Sequence, residues 1–213
     1  MLYRLKKLST KRWWKDGNVW YEECLEDILG AKEPQMMTRK MKSEPLDQFE
    51  RVQVKPCGKK QFKAYRGGNG LFNKKGLCKT YNPGELLIPC MGIYVTGKSW
   101  DYLNNERKGK ESEEAKYVVS YWKFANGAWH EIVCIPYGIG GITMKSLETP
   151  AWSNANDGQR KDGRNKSNCV FTSKTVFGME LIHIENTRKI RSGDQILVKY
   201  GDGYWRKFGA CLE

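Results

Sequence analysis

The sequence predicts a mainly β protein, and three observations carry that expectation. From residue 65 onward the apolar runs are short and are bounded by Gly, Pro, Asn and Asp, the texture of strands joined by frequent turns. Residues 117–124 and 128–135 are two such runs around Asn126-Gly127, a pair suited to the positive φ angles of a tight β-hairpin. The closing stretch repeats the pattern, with runs at 170–175, 179–186 and 195–200 and a turn at Arg191-Ser192-Gly193-Asp194 before the last.

The remaining elements follow in order. Residues 21–29, closed by Gly30, read as a short helix with a glycine stop. Residues 31–50 contain Pro34, Pro45 and many polar groups, as expected of a linker or extended arm. Residues 49–64 alternate loosely and supply one strand before the glycine turn at Gly68-Asn69-Gly70. Asn82-Pro83-Gly84 is a turn, and 85–95 is an apolar strand pair interrupted by Pro89. Residues 98–116 are polar and charged, with 104–109 an exposed loop or short helix, and 157–168 are a glycine- and charge-rich loop. There is no internal repeat and no low-complexity tract.

Composition narrows the class. A chain of 213 residues has room for one medium domain, or one domain with an appendage, and 8 Trp and 11 Tyr supply large side chains for its core. No apolar run approaches the roughly 18 residues of a membrane span. The first residues are basic with no hydrophobic stretch behind them, so no signal peptide is expected and the protein reads as soluble and intracellular. The seven Cys (24, 57, 78, 90, 134, 169 and 211) include no Cys-x-x-Cys pair, and His130 and His183 are the only histidines. That spacing argues against structural zinc and for reduced, mostly buried thiols, with no metal expected. The net charge of +13 is spread along the chain: residues 1–67 hold 16 basic and 9 acidic side chains (+7), the remainder 21 and 15 (+6). A single-sign field of this kind favours polyanions such as DNA or a nucleosome; the alternative is a basic surface that serves solubility alone.

Four short elements carry the chemistry. Gly68-Asn69-Gly70-Leu71-Phe72 lets backbone bend sharply and approach a ligand closely, or is an ordinary turn. Asn156-Asp157 presents a carboxamide with one acceptor and two donors, or is a plain Asn-Asp-Gly turn. Asn168-Cys169 follows. The run Asp194-Gln195-Ile196-Leu197-Val198-Lys199-Tyr200-Gly201 then ends in a tyrosine, with Tyr204-Trp205 just beyond.

In this order, over residues 65–208, these elements resemble a SET-domain protein lysine methyltransferase. The resemblance implies a SET-like fold of several short sheets with a C-terminal pseudoknot. It leaves residues 1–64 as a basic, aromatic-rich N-terminal extension with linker, and 209–213 as a tail. It implies that S-adenosylmethionine is the cofactor, held by Gly68, Asn69, Gly70, Leu71, Asn156, Asp157 and Trp205. Tyr200 is implied as the catalytic residue beside the transferred methyl group. Tyr204 and Tyr121 are candidates for the substrate channel, Tyr121 equally for a cross-strand core position. Asn168-Cys169 resembles the family's Pro-Asn-Cys, with Ser167 in place of Pro, and is read as structural. Asp157 stands where the family most often has His, and the post-SET zinc cysteines are absent, so another element must close the lysine channel. The implied partner is a lysine-bearing protein, a histone tail foremost, in the nucleus or a host-cell nucleus, with the cytoplasm as alternative. A catalytically inactive SET-like chromatin or nucleic-acid binding module is the competing reading. Thr38-Arg39-Lys40-Met41-Lys42-Ser43 resembles a histone-tail lysine site and suggests automethylation at Lys40 or Lys42.

Overall fold

The computed structural model describes residues 4–8, 19–29, 51–58, 68–75, 80–106, 117–136, 151–158, 165–176, 179–201 and 204. The protein is mainly β, with several small sheets. Trp205 and the stretch around Lys40 and Lys42 lie outside the described residues, as do the linker at 31–50 and residues 159–164 of the loop expected at 157–168. The chain divides into two compact units. Residues 1–64 contribute to both: 1–43 belong to the first unit with 90–150 and 173–182, and 44–89 to the second with 151–172 and 183–213.

The first unit is built on a five-stranded sheet in the order β1 (Leu5–Leu8), β2 (Val19–Glu22), β6 (Gly92–Thr96), β8 (Ala128–Ile135), β7 (Val119–Ala125). Only the β2–β6 pair is parallel. The helix expected over 21–29 is reduced to α1 (Leu25–Leu29), because the preceding residues pair with both β1 and β6 and are drawn into the sheet. The central strand β6 is apolar on both faces, as a strand covered on both requires, and Gly92 permits its closest contact. A Cβ there would stand 2.3 Å from the Ile135 carbonyl oxygen.

The stretch read as polar and charged from residue 98, with a loop or short helix expected only at 104–109, opens as a helix: α2 runs Gly97–Glu106. Thr96 caps it, its hydroxyl accepting from the Ser99 amide at 3.3 Å. The Glu22 carboxylate accepts from the Thr96 amide at 3.0 Å and from the Ser99 hydroxyl at 2.6 Å, tying β2 to the start of the helix. Trp100 and Leu103, three apart and so on one helical face, pack with Leu5, Trp20 and Val118 against Ile93, Val95, Val133 and Ile135. Those two side chains are the amphipathic signal hidden in a charged stretch. The buried Tyr94 hydroxyl donates to Cys90 O at 2.7 Å and accepts from Ile182 N at 3.1 Å.

The second unit combines small sheets. β3 (Val52–Pro56) pairs antiparallel with β4 (Asn69–Asn73), and β5 (Leu87–Pro89) pairs antiparallel with the second half of β11 (Met179–Asn186), which follows β10 (Cys169–Val176). β9 (Asn156–Asp157) pairs parallel with β12 (Leu197–Val198), placing Asn156 opposite Leu197 and Asp157 opposite Val198. Leu71, Phe72, Leu86, Ile88, Trp152, Ile184, Ile196 and Val198 are buried at its core.

Two asparagines hold this unit where regular pairing ends. Asn186 is buried; its Oδ1 accepts from Leu86 N at 2.8 Å and its Nδ2 donates to Asn82 O at 2.7 Å and Arg188 O at 3.0 Å. The Asn168 side chain acts as a piece of strand: Oδ1 accepts from Leu197 N and Nδ2 donates to Gln195 O, both at 2.8 Å. Its own amide donates to Leu197 O at 3.0 Å, and its carbonyl accepts from Thr187 N at 2.8 Å. The carboxamide fits because it carries a donor and an acceptor on one planar group.

Asn168→Ala therefore leaves a main-chain donor and acceptor without their partners and should lower unfolding stability by about 2–4 kcal/mol. Denaturant titration measures it, and a loss below about 0.5 kcal/mol contradicts this role.

Candidate functional site

The residues singled out in the sequence around the glycine turn, Asn156 and Tyr200 all belong to the second unit. β4 opens at the exposed pair Gly68 and Asn69, and its pairing continues past Pro56 through the bond from Cys57 N to Gly68 O at 2.8 Å. Gly70 and Leu71 are buried, and Leu71 O accepts from Ile196 N at 2.8 Å. The segment 193–196 thus runs along β4, through the Phe72–Gln195 bridge and the bond from Asn73 N to Asp194 O.

Gly70 is required by crowding. A Cβ there would stand 2.8 Å from both Cys57 Sγ and Gln195 Nε2, and 3.0 Å from the Phe72 ring. Those two neighbours were not singled out in the sequence. Cys57 Sγ accepts long hydrogen bonds, 3.6 Å each, from Asn156 Nδ2 and Gln195 Nε2. Burial pushes the Cys57 thiol up, partly offset by these amide donors, so it stays a neutral packing group. The position of Cys57 directly after a strand, opposite the glycine turn, was the available signal.

Asn156 joins this cluster to the glycine turn, its Nδ2 donating to Asn69 O at 3.0 Å. Among the described residues Oδ1 has no hydrogen-bond partner, since both bonds of the side chain use Nδ2. One residue earlier, Ala155 O accepts from the Tyr200 hydroxyl at 2.7 Å. The Tyr200 ring meets Tyr204 edge to face, with centroids 4.5 Å apart. Asp157 is fully buried on β9.

Asn69, Asn156, Ala155 and Tyr200, far apart in sequence, are thus linked by consecutive hydrogen bonds and a peptide unit. Their polar atoms are mostly acceptors: Asn156 Oδ1, the Ala155 carbonyl and the lone pairs of Tyr200. Such a set suits a cationic ligand group or a polarised C–H donor, and is poorly suited to an anion.

Tyr121 belongs to the first unit. Its hydroxyl donates to Glu180 O at 3.3 Å, and burial, with the nearby Glu180 carboxylate, pushes the phenol further up from its ordinary value. His130 Nε2 lies 3.2 Å from Ala125 O, bonded within its hairpin. Among the described residues no three His, Cys, Asp or Glu side chains are grouped to hold a metal. No protein-family model matches this chain, and no curated protein matches it significantly.

Gly70→Ala should cost about 1–2 kcal/mol, because Cys57 and Gln195 must both give way. Adding Cys57→Ala to that variant should recover part of the loss. A double-mutant cycle tests it, and a coupling energy near zero removes Cys57 as the obstacle.

Proposed function

We propose that the chain is an S-adenosylmethionine-dependent protein-lysine methyltransferase with a SET-like domain over residues 65–208. Its proposed substrate is a histone tail or another chromatin-associated protein in the nucleus. The observation that carries the reading is the Asn69–Asn156–Ala155–Tyr200 array of acceptors. Asn69, Asn156 and Tyr200 are residues for which the sequence resembles the cofactor and methyl-transfer elements of that family, and Ala155 joins them through its carbonyl. The parallel pairing of β9 with β12 and the Asn168 clamp support the reading, since both gather these elements from distant segments.

The residues fit such a cofactor chemically. S-adenosylmethionine, when bound, supplies an electrophilic methyl group on a cationic sulfur. Asn156 Oδ1 is available to accept from the ammonium of a methionine moiety, and the exposed backbone at Gly68 and Asn69 to lie along it. The Ala155 carbonyl and the Tyr200 oxygen are fixed against each other before any ligand arrives, so they orient a polarised methyl without reorganising. A free lysine has a pKa near 10.4, so about one in 2,500 is neutral at pH 7, a deficit of roughly 4.6 kcal/mol. A dry channel beside a cationic centre offsets much of that deficit by desolvation and repulsion, and none of the array's side chains has to act as a base.

A second reading is a SET-like module that binds chromatin or nucleic acid without turnover. It is favoured by Asp157, buried where the family usually has His, and by positive charge in both halves of the chain.

Titration calorimetry with S-adenosylmethionine, and turnover on a mixed histone preparation, decide between the two. Tyr200→Phe should keep the fold and most cofactor affinity while lowering turnover by about a hundredfold. Asn156→Ala should weaken cofactor binding by about tenfold, through loss of one charge-assisted acceptor. Full activity in Tyr200→Phe would make that hydroxyl a structural group. Cofactor binding without turnover in the wild type would select the second reading.

On either reading the basic surface should bind DNA, with an affinity that falls steeply as salt rises through counterion release. Affinity unchanged between low and moderate salt contradicts this.

A further inference from the structure

The hairpin tip of the first unit carries an unusual quartet of side chains. In the β7–β8 register Trp122 stands opposite Glu131 and Phe124 opposite Trp129. Directly paired residues, and residues two apart on one strand, share a face, so all four project from the same side. Trp122 is 62% exposed, Phe124 56% and Trp129 65%, although β8 is buried from Ile132 to Ile135. Phe124 and Trp129 meet edge to face, with centroids 5.4 Å apart and planes at 61°.

The hairpin itself explains only part of this. A cross-strand aromatic pair next to a two-residue turn stabilises a hairpin, which accounts for Phe124 and Trp129. It does not account for Trp122, whose partner is a carboxylate. The Glu131 carboxylate lies over Gly97, its Oε2 2.7 Å from where a Cβ there would stand, and makes no hydrogen bond or ion pair among the described residues, whereas Lys123, on the opposite face, is engaged by Glu180.

We propose that this quartet is a binding site for a quaternary alkylammonium group, such as trimethyllysine on a peptide. Aromatic faces attract a cation through their quadrupoles, and methyl groups remove the hydration that an unmodified ammonium would have to shed. Diagonal neighbours across a hairpin stand about 7–8 Å apart, within reach for rings to close around one small cation. Glu131 supplies the only formal charge in the quartet, and it is negative on a protein of net charge +13. That sign disfavours a nucleic-acid phosphate here, although the chain as a whole favours polyanions. The three rings expose roughly 400 Å² in total, about half of what each partner of a stable protein dimer contributes, so a compact ligand fits better than a second copy. The proposal does not depend on methyl transfer in the second unit.

The test titrates the full chain with three versions of one short peptide, followed by indole fluorescence. They bear trimethyllysine, unmodified lysine, or the uncharged carbon isostere with a tert-butyl end. Saturable binding of the trimethyl form, about tenfold tighter than either of the others, is expected. Trp122→Ala and Trp129→Ala should each weaken it about tenfold, and Glu131→Gln about threefold, without change in thermal stability beyond a few degrees. Equal binding of the uncharged isostere to the wild type overturns the proposal, and needs no variant to fold. So does unchanged affinity in Trp122→Ala, or a single-stranded oligonucleotide whose binding depends on Trp129 while the peptide does not bind.

Discussion

The second unit depends on one constraint: the segment 195–197 must be held in register without a long strand to hold it. β12 is only two residues long, and two residues of parallel pairing are a weak anchor. Asn168 supplies what the sheet does not, by offering the segment a side-chain donor and acceptor in addition to its own backbone. On the far side the same segment bonds to β4 through Leu71 O and the Phe72–Gln195 bridge. It is clamped between a glycine-containing strand and an asparagine. The positions of Gln195 and Tyr200 both follow from that clamp.

Because the clamp fixes the register of β12 against β9, Tyr200 reaches back to the carbonyl just before Asn156. Asn156 reaches across to the glycine turn. The acceptor array is therefore a consequence of backbone pairing, assembled with few side-chain contacts of its own. Gly70 and Cys57 show the cost of such proximity. The turn approaches the last strand so closely that even a methyl group lacks space, and a thiol that packs and weakly accepts is the neighbour that fits.

The first unit solves a different problem. Its sheet is closed over on one face by α2 and its partners, while the β7–β8 hairpin continues to a tip whose aromatic side chains stay in solvent. The alternation along β7, exposed at Ser120, Trp122 and Phe124 and half-buried between, puts these three on the face of Val133 and Ile135, the face that α2 packs against. Large aromatics left exposed on that same face set the tip apart from the rest of the sheet.

The sequence by itself determined the β character, the hairpin around Asn126-Gly127 and the turn at 191–194. These depend on local chemistry: short apolar runs, and residues that adopt positive φ cheaply, as Asn126, Gly127 and Gly193 do. It also marked Asn156 and Tyr200, through the order of short elements that resembles a known family. It began the first helix at residue 21 where only Leu25–Leu29 is helical, and it offered no helix before residue 104 where α2 starts at Gly97. Val19–Glu22 is extended because two neighbouring strands claim its backbone, and α2 is helical because Trp100 and Leu103 have a sheet to cover. The roles of Cys57, Gln195 and the Ala155 carbonyl were decided by tertiary structure alone. A buried thiol, a strand-end amide and a backbone oxygen carry no local signature, and they acquire one only when contacts across 45 to 138 residues bring them together.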